Sequence, residues 1–170
     1  MTSRIARAAL AALALLVATL PPASAGGPSP AGPVLTVLRG TAPGRGGDRM
    51  VFDLSTLERL GTVTIETSTP WTEGVQRFEG VPLRRLLAAA GATGSSMVIA
   101  RAQNNYVAVI PADDFRKYDV ILAFRQNGRA LSAGVTGPFF LVYPYDRDPA
   151  LRTGETYSRS VWQLEQIEAL

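Results

Sequence analysis

Trp71, Tyr106, Tyr143 and Tyr145 offer rings that can stack on a flat ligand, and Glu73, Asn104, Asn105 and Asp146 offer groups that can pair with its polar edge. Most of them fall in two blocks, Thr69-Pro70-Trp71-Thr72-Glu73-Gly74 and Gly137-Pro138-Phe139-Phe140-Leu141-Val142-Tyr143-Pro144-Tyr145-Asp146. Arg101 and Arg147 carry charge suited to a polar tail. What is missing is equally informative, because the chain has no cysteine and no histidine. Without a thiolate there is no soft metal ligand, and without an imidazole the usual general base is gone. No serine or threonine lies in a Gly-x-Ser-x-Gly nucleophile motif, and Gly44-Arg45-Gly46-Gly47 lacks the Lys-Ser/Thr ending of a phosphate-binding loop. Asp146 and Asp148 are too few carboxylates for calcium. The pattern favours occupancy by a ligand over turnover.

Several of these residues also have an ordinary packing explanation. Trp71 follows a proline turn and can plug the end of a core, Tyr143 ends an apolar run, and Tyr106 can bury one face of a strand. Asn104 and Asn105 suit a turn, and Glu73 suits a solvated loop. Tyr145 and Asp146 open a loop and have no packing role legible in the sequence. Micromolar binding needs about 8 kcal/mol net. One aromatic contact adds about 0.5–1.5 kcal/mol beyond area burial and a hydrogen bond to a charged group about 1.5–3, so two stacking groups and two or three hydrogen bonds are required together.

The elements that must position these groups begin after an export signal. Arg4 and Arg7 precede the apolar run Ala8 to Leu20, and Ala23-Ser24-Ala25 is a small-residue cleavage site, so residues 1–25 are expected to be removed. The run is short and Ala-rich for a membrane span, which needs about 20 apolar residues. Removing Arg4 and Arg7 from the 17 basic residues leaves 15 against 14 acidic ones, a net charge of +1. The basic residues form no stripe, which excludes a nucleic-acid footprint. Absence of cysteine excludes a disulfide framework, so one hydrophobic core must hold the mature chain together.

Residues 26–33 are a Gly/Pro/Ser/Ala lead-in, and residues 34–170 form one domain. Val34 to Leu38 predicts a strand, and Thr41 to Arg49 a loop or hairpin tip. Ser55 and Glu58 have capping-box spacing for a short helix ending at Gly61. Thr62 to Thr67 and Val75 to Phe78 predict strands; Pro82 opens a helix with Leu83, Leu86, Leu87 and Ala90 on one face and Gly91 as its stop. Met97 to Ala102 and Tyr106 to Ile110 predict strands around the Gln103-Asn104-Asn105 turn. Ala112 to Tyr118 is a helix with acids first and bases last, followed by a strand to Phe124 and the Asn127-Gly128 turn. Phe139 to Tyr143 predicts a central strand, Pro144 to Tyr157 a long loop, and Val161 to Leu170 a turn and a strand. Mixed short strands and helices with two hairpin signals predict an α+β fold.

In this order, Phe52-Asp53-Leu54, Thr69-Pro70-Trp71, Phe78-Glu79-Gly80-Val81-Pro82-Leu83, Asn105-Tyr106, Ile110-Pro111, Gly137-Pro138, Tyr143-Pro144-Tyr145-Asp146 and Trp162-Gln163-Leu164 resemble the oxidoreductase molybdopterin-binding domain, with its sulfite-oxidase-like fold. The resemblance spans about Val34 to Ile167. In catalytic members of that family a cysteine thiolate ligates molybdenum, and this chain has none. The small exported forms resemble periplasmic pterin-binding sensory proteins. That resemblance implies a bound pterin without molybdenum and a membrane-bound signalling partner that reads occupancy. It implies Thr69, Trp71, Glu73, Asn104, Asn105, Tyr106, Tyr143, Tyr145 and Asp146 as the ligand site. Gly134-Val135-Thr136 stand where such proteins show Arg-Asp-Lys, and Asn104-Asn105-Tyr106 where they show Asn-Asp-Tyr, so both departures remove charge. The competing implications are a molybdopterin-dependent oxidoreductase and an interaction module whose pocket is filled by side chains.

Overall fold

The computed structural model describes residues 32–40, 47–132 and 134–170. The export signal, nearly all of the lead-in and most of the Gly/Arg tip lie outside the described residues. Strand β1 (Val34–Arg39) pairs antiparallel with β2 (Asp48–Asp53), Leu35 facing Phe52 in register. The chain's last strand, β10 (Leu164–Ala169), inserts parallel to β1 and antiparallel to β5 (Met97–Ala102), which pairs with β6 (Val107–Pro111). The first sheet therefore runs β2-β1-β10-β5-β6, with the C-terminal segment at its centre. A register shift between Leu164 and Gln166 breaks the alternation of β10, which is why its apolar residues follow neither period in the sequence.

The second sheet is built on the hairpin of β3 (Val63–Thr69) and β4 (Thr72–Pro82), continued by β7 (Ile121–Gln126) and β8 (Arg129–Ala130). Strand β9 (Phe140–Val142) pairs with β7 at Ile121 to Ala123, beyond the stretch that β8 occupies. The segment expected as a central strand is thus a short one on the outer side of β7. Its unbroken apolarity has another cause: both of its faces are buried. Phe139, Leu141 and Tyr143 join the larger core with Leu122 and Phe124, while Phe140 and Val142 join a smaller core with Ile65, Phe78, Ile121 and Ala123. Strands buried on two faces lose the alternating signature.

Helix α2 (Leu83–Ala89) puts Leu83, Leu86 and Leu87 into the larger core, each side chain contributing roughly 1.5–3 kcal/mol of burial. Gly91 follows with φ +68°, the left-handed turn expected at its end. Helix α1 (Leu54–Arg59) begins two residues earlier than the capping-box spacing suggested. Asp53 is the cap, accepting from the Thr56 amide at 2.7 Å, and Ser55 donates its hydroxyl to the same carboxylate at 2.9 Å. Helix α3 (Asp113–Lys117) follows β6, and Asp114 at its start is buried. The long segment after Tyr143 is more ordered than expected. Asp148 caps a single 3-10 turn, Pro149–Leu151, and Thr153 caps helix α4 (Gly154–Ser158) through a 3.2 Å bond from the Thr156 amide. Among the described residues no helix is long and apolar enough to cross a membrane.

Candidate functional site

Pro70 and Trp71 form the two-residue turn between β3 and β4. Thr69, itself buried, fixes this turn: its hydroxyl bonds to that of Thr72 at 2.7 Å and accepts from the Trp71 amide at 3.3 Å. Trp162 lies two residues before β10, and its ring meets that of Trp71 edge-on with centroids 5.4 Å apart. Beneath both is Phe140, 5.9 Å from Trp71 and 6.4 Å from Trp162, which belongs to the smaller core. Tyr157 of α4 adds a third edge contact to Trp71, at 5.9 Å and 76°. Such edge-to-face pairs are preferred by the ring quadrupoles and add about 0.5–1.5 kcal/mol each.

These rings wall a cleft of about 260 Å³, completed by Asn104, Tyr106, Ser158 and Ser160. It is small for a ligand pocket, where volumes of about 300–1,000 Å³ are usual, but has room for a flat ring system. Tyr106 spans from the β5–β6 turn to the end of α4, donating its hydroxyl to the Ser158 carbonyl at 2.7 Å. Asn104 holds the turn by accepting from the Tyr106 amide at 3.0 Å, and Asn105 completes it at φ 66°. The Ser158 hydroxyl donates to the Glu155 carbonyl at 2.7 Å, and Ser160 shares a short hydrogen bond with the Tyr145 hydroxyl. No lining side chain carries a formal charge. Such a cleft can stack on and hydrogen-bond a flat ring.

Of the residues expected at the site, Trp71, Asn104 and Tyr106 come together around the cleft, and the rest do not line it. Tyr143 is wholly buried and donates to Asp114 Oδ2 at 2.8 Å; burial first, then the Asp114 charge, raises its hydroxyl far above the ordinary tyrosine range. Tyr145 is also buried, and burial raises it despite the opposing bond from Ser160. It stands behind the cleft, supporting Ser160 and packing against Tyr157 at a tilt of 59° with ring centroids 5.0 Å apart. Asp146 is a latch for the loop. It accepts from the Ser68 hydroxyl and amide, both at 2.6 Å, and pairs with Arg152 at 2.6 Å. The two Ser68 bonds come first in lowering its carboxyl below the usual value. Glu73 is exposed at the start of β4, where its carbonyl rather than its carboxylate is used, by the Gln76 amide at 2.6 Å. Thr69 shapes the turn from below. Arg147 is engaged by Asp119 at 3.1 Å, and Arg101 stands opposite Val107 and Gln166 on the half-exposed positions of β5.

Four lining residues were not anticipated as site residues: Tyr157, Ser158, Ser160 and Trp162. Two aromatic residues five positions apart, separated by serines and preceded by the capping sequence Thr153-Gly154-Glu155-Thr156, were the available signal. Treating Pro144 to Tyr157 as structureless hid it, because α4 is what turns Tyr157 toward Trp71.

The donor set bears on any metal. The whole chain lacks cysteine, and among the described residues no three His, Cys, Asp or Glu side chains gather as ligands would.

Comparison with known proteins agrees with the architecture. The model of the "Oxidoreductase molybdopterin binding domain" family matches residues 51–145. Among solved structures, the sulfane dehydrogenase SoxCD from Paracoccus pantotrophus superposes with a TM-score of 0.57 at 22% identity, covering 81% of this chain and 38% of that one. The likeness is one of fold, and this chain spans well under half the length of that relative. No curated protein matches the sequence. A cleft between a mixed sheet and an antiparallel one, short helices and the matched segment from Val51 to Tyr145 lead to one assignment: the chain belongs to the oxidoreductase molybdopterin binding domain family, with the sulfite-oxidase-like fold.

Proposed function

We propose that this protein is a non-catalytic member of its family that binds a pterin or a similar flat heterocycle in the cleft walled by Trp71, Tyr106, Tyr157 and Trp162. The observation that carries the reading is the conjunction of an aromatic, charge-free cleft with a chain that holds no cysteine. A thiolate-ligated molybdenum does not fit this donor set, so no step is routed through one. Stacking on the aromatic walls, hydrogen bonds from Asn104 or the serines and burial of the ring together approach the roughly 8 kcal/mol of micromolar binding. The export signal expected in residues 1–25 supports a periplasmic or secreted location. There, occupancy of the cleft is reported to a membrane-bound signalling partner.

Both tryptophans of the chain line the cleft, so intrinsic fluorescence reads the site directly. Titration of the mature protein with reduced pterins gives saturable quenching in this account. Flat, unsaturable traces to high micromolar concentration with every pterin tried would remove the ligand.

The second reading is a molybdopterin-dependent oxidoreductase, favoured by the family name and by a structural relative whose name is that of a dehydrogenase. Elemental analysis of protein from its natural host separates the two, since the enzyme would carry near-stoichiometric molybdenum. The third, an interaction module with a filled pocket, is disfavoured by the open space between Trp71 and Tyr106.

A further inference from the structure

Resting on that binding reading, we infer that the cleft selects an uncharged flat heterocycle and rejects the same ring system bearing a phosphate. Anions in protein sites are held by arginine forks, lysines or backbone donors, and neither an arginine nor a lysine lines this cleft. Two arginines ride on the segment that builds the cleft wall. Arg159, between the lining residues Ser158 and Ser160, is largely buried and bonds both Asp114 Oδ2, at 3.0 Å, and the Glu155 carboxylate. Arg152 bonds Asp146 at 2.6 Å and the Tyr145 carbonyl at 3.3 Å.

The local charge follows by counting. Asp114, Asp146 and Glu155 are three negative groups against the two positive groups Arg152 and Arg159, a net of −1. Arg147, the remaining arginine of the segment, is held by Asp119 together with Arg84, outside the cleft lining. A phosphate would have to take an arginine from its carboxylate and leave that carboxylate unpaired, in a surrounding that already repels it. The cleft does supply neutral donors. The indole N–H groups of Trp71 and Trp162 have no acceptor among the described residues, which suits ring carbonyls or ring nitrogens of a neutral ligand. Charge therefore excludes the phosphorylated pyranopterin independently of the missing thiolate.

The test compares dihydroneopterin with dihydroneopterin monophosphate on the full mature protein, by tryptophan quenching and by calorimetry at low salt. The expected result is saturable binding of the first and at least about tenfold weaker binding of the second. Glu155→Gln, which removes one negative group without touching the cleft lining, is expected to narrow the gap to about threefold. Equal or tighter binding of the phosphate form overturns the inference and leaves the binding reading standing, as does a gap that Glu155→Gln leaves unchanged. Absence of binding by both compounds overturns the binding reading, and the inference falls with it.

Discussion

The rings of Trp71 and Trp162 meet at 89° with centroids 5.4 Å apart, although 91 positions separate them in the chain. One is delivered by the β3–β4 turn of the second sheet and the other by the entry into β10 at the centre of the first. The cleft is therefore a junction between the two sheets, and each ring braces the other.

Replacing either ring with alanine removes a wall and a brace. Trp71→Ala and Trp162→Ala are each expected to weaken binding of an uncharged pterin by roughly tenfold, about 1.4 kcal/mol, measured calorimetrically. Trp71→Phe retains a stacking face and is expected to recover most of that loss.

A buried polar cluster ties the cleft wall to α3. Asp114 accepts from Tyr143 at 2.8 Å and from Arg159 at 3.0 Å. Tyr143→Phe is expected to cost about 1.5–3 kcal/mol in urea unfolding, because it deletes a hydrogen bond to a charged acceptor. Asp114→Ala is expected to cost about 3–5 kcal/mol, since it strands the Arg159 guanidinium. A loss in Tyr143→Phe below about 0.5 kcal/mol would show that the bond adds little.

The Asp146 latch makes stability depend on acid. Its carboxyl is held below 3.8 in the folded state, first by the Ser68 hydroxyl and amide and then by Arg152. A lowered folded value means that the contribution is present above the unfolded value and vanishes as pH falls through the folded one. Asp146→Asn is expected to be about 1 kcal/mol less stable than the parent at pH 7, with exposure limiting the effect. The two should converge in thermal melts as pH falls below the usual carboxylate range, and a gap independent of pH would contradict the latch.

Gly80 marks where β4 crosses closest to β7. A Cβ there would lie 2.1 Å from the Leu122 carbonyl oxygen, so Gly80→Ala must push two backbones apart. The expected loss is about 2–4 kcal/mol in chemical denaturation. Gly94→Ala, where a Cβ meets nothing within 4 Å, is the control and should stay within about 0.5 kcal/mol of the parent.

Local signals in the sequence carried most of the fold. Leu83, Leu86 and Leu87 had helical spacing, the Asn104-Asn105 turn separated two β-branched runs, and Asn127-Gly128 closed the β7–β8 hairpin. What failed depended on long-range facts. Phe139 to Tyr143 is apolar throughout because two cores meet there, which no local pattern distinguishes from a central strand. Tyr143, Tyr145 and Asp146 were the right types for a ligand but are consumed by Asp114, Ser160 and Ser68, partners distant enough in the chain to be invisible beforehand. Four of the seven residues lining the cleft came from the Tyr157 to Trp162 stretch, whose role appears only once α4 and β10 are placed against the β3–β4 turn.

The central claim is that a chain without a thiolate keeps the cleft for occupancy and not for turnover. Native mass spectrometry of the exported protein from its natural host, with elemental analysis of the same sample, tests this most directly. The account predicts the protein plus one uncharged flat heterocycle released on denaturation, with no molybdenum. A stoichiometric molybdenum signal, or a bound phosphorylated pyranopterin, would contradict it.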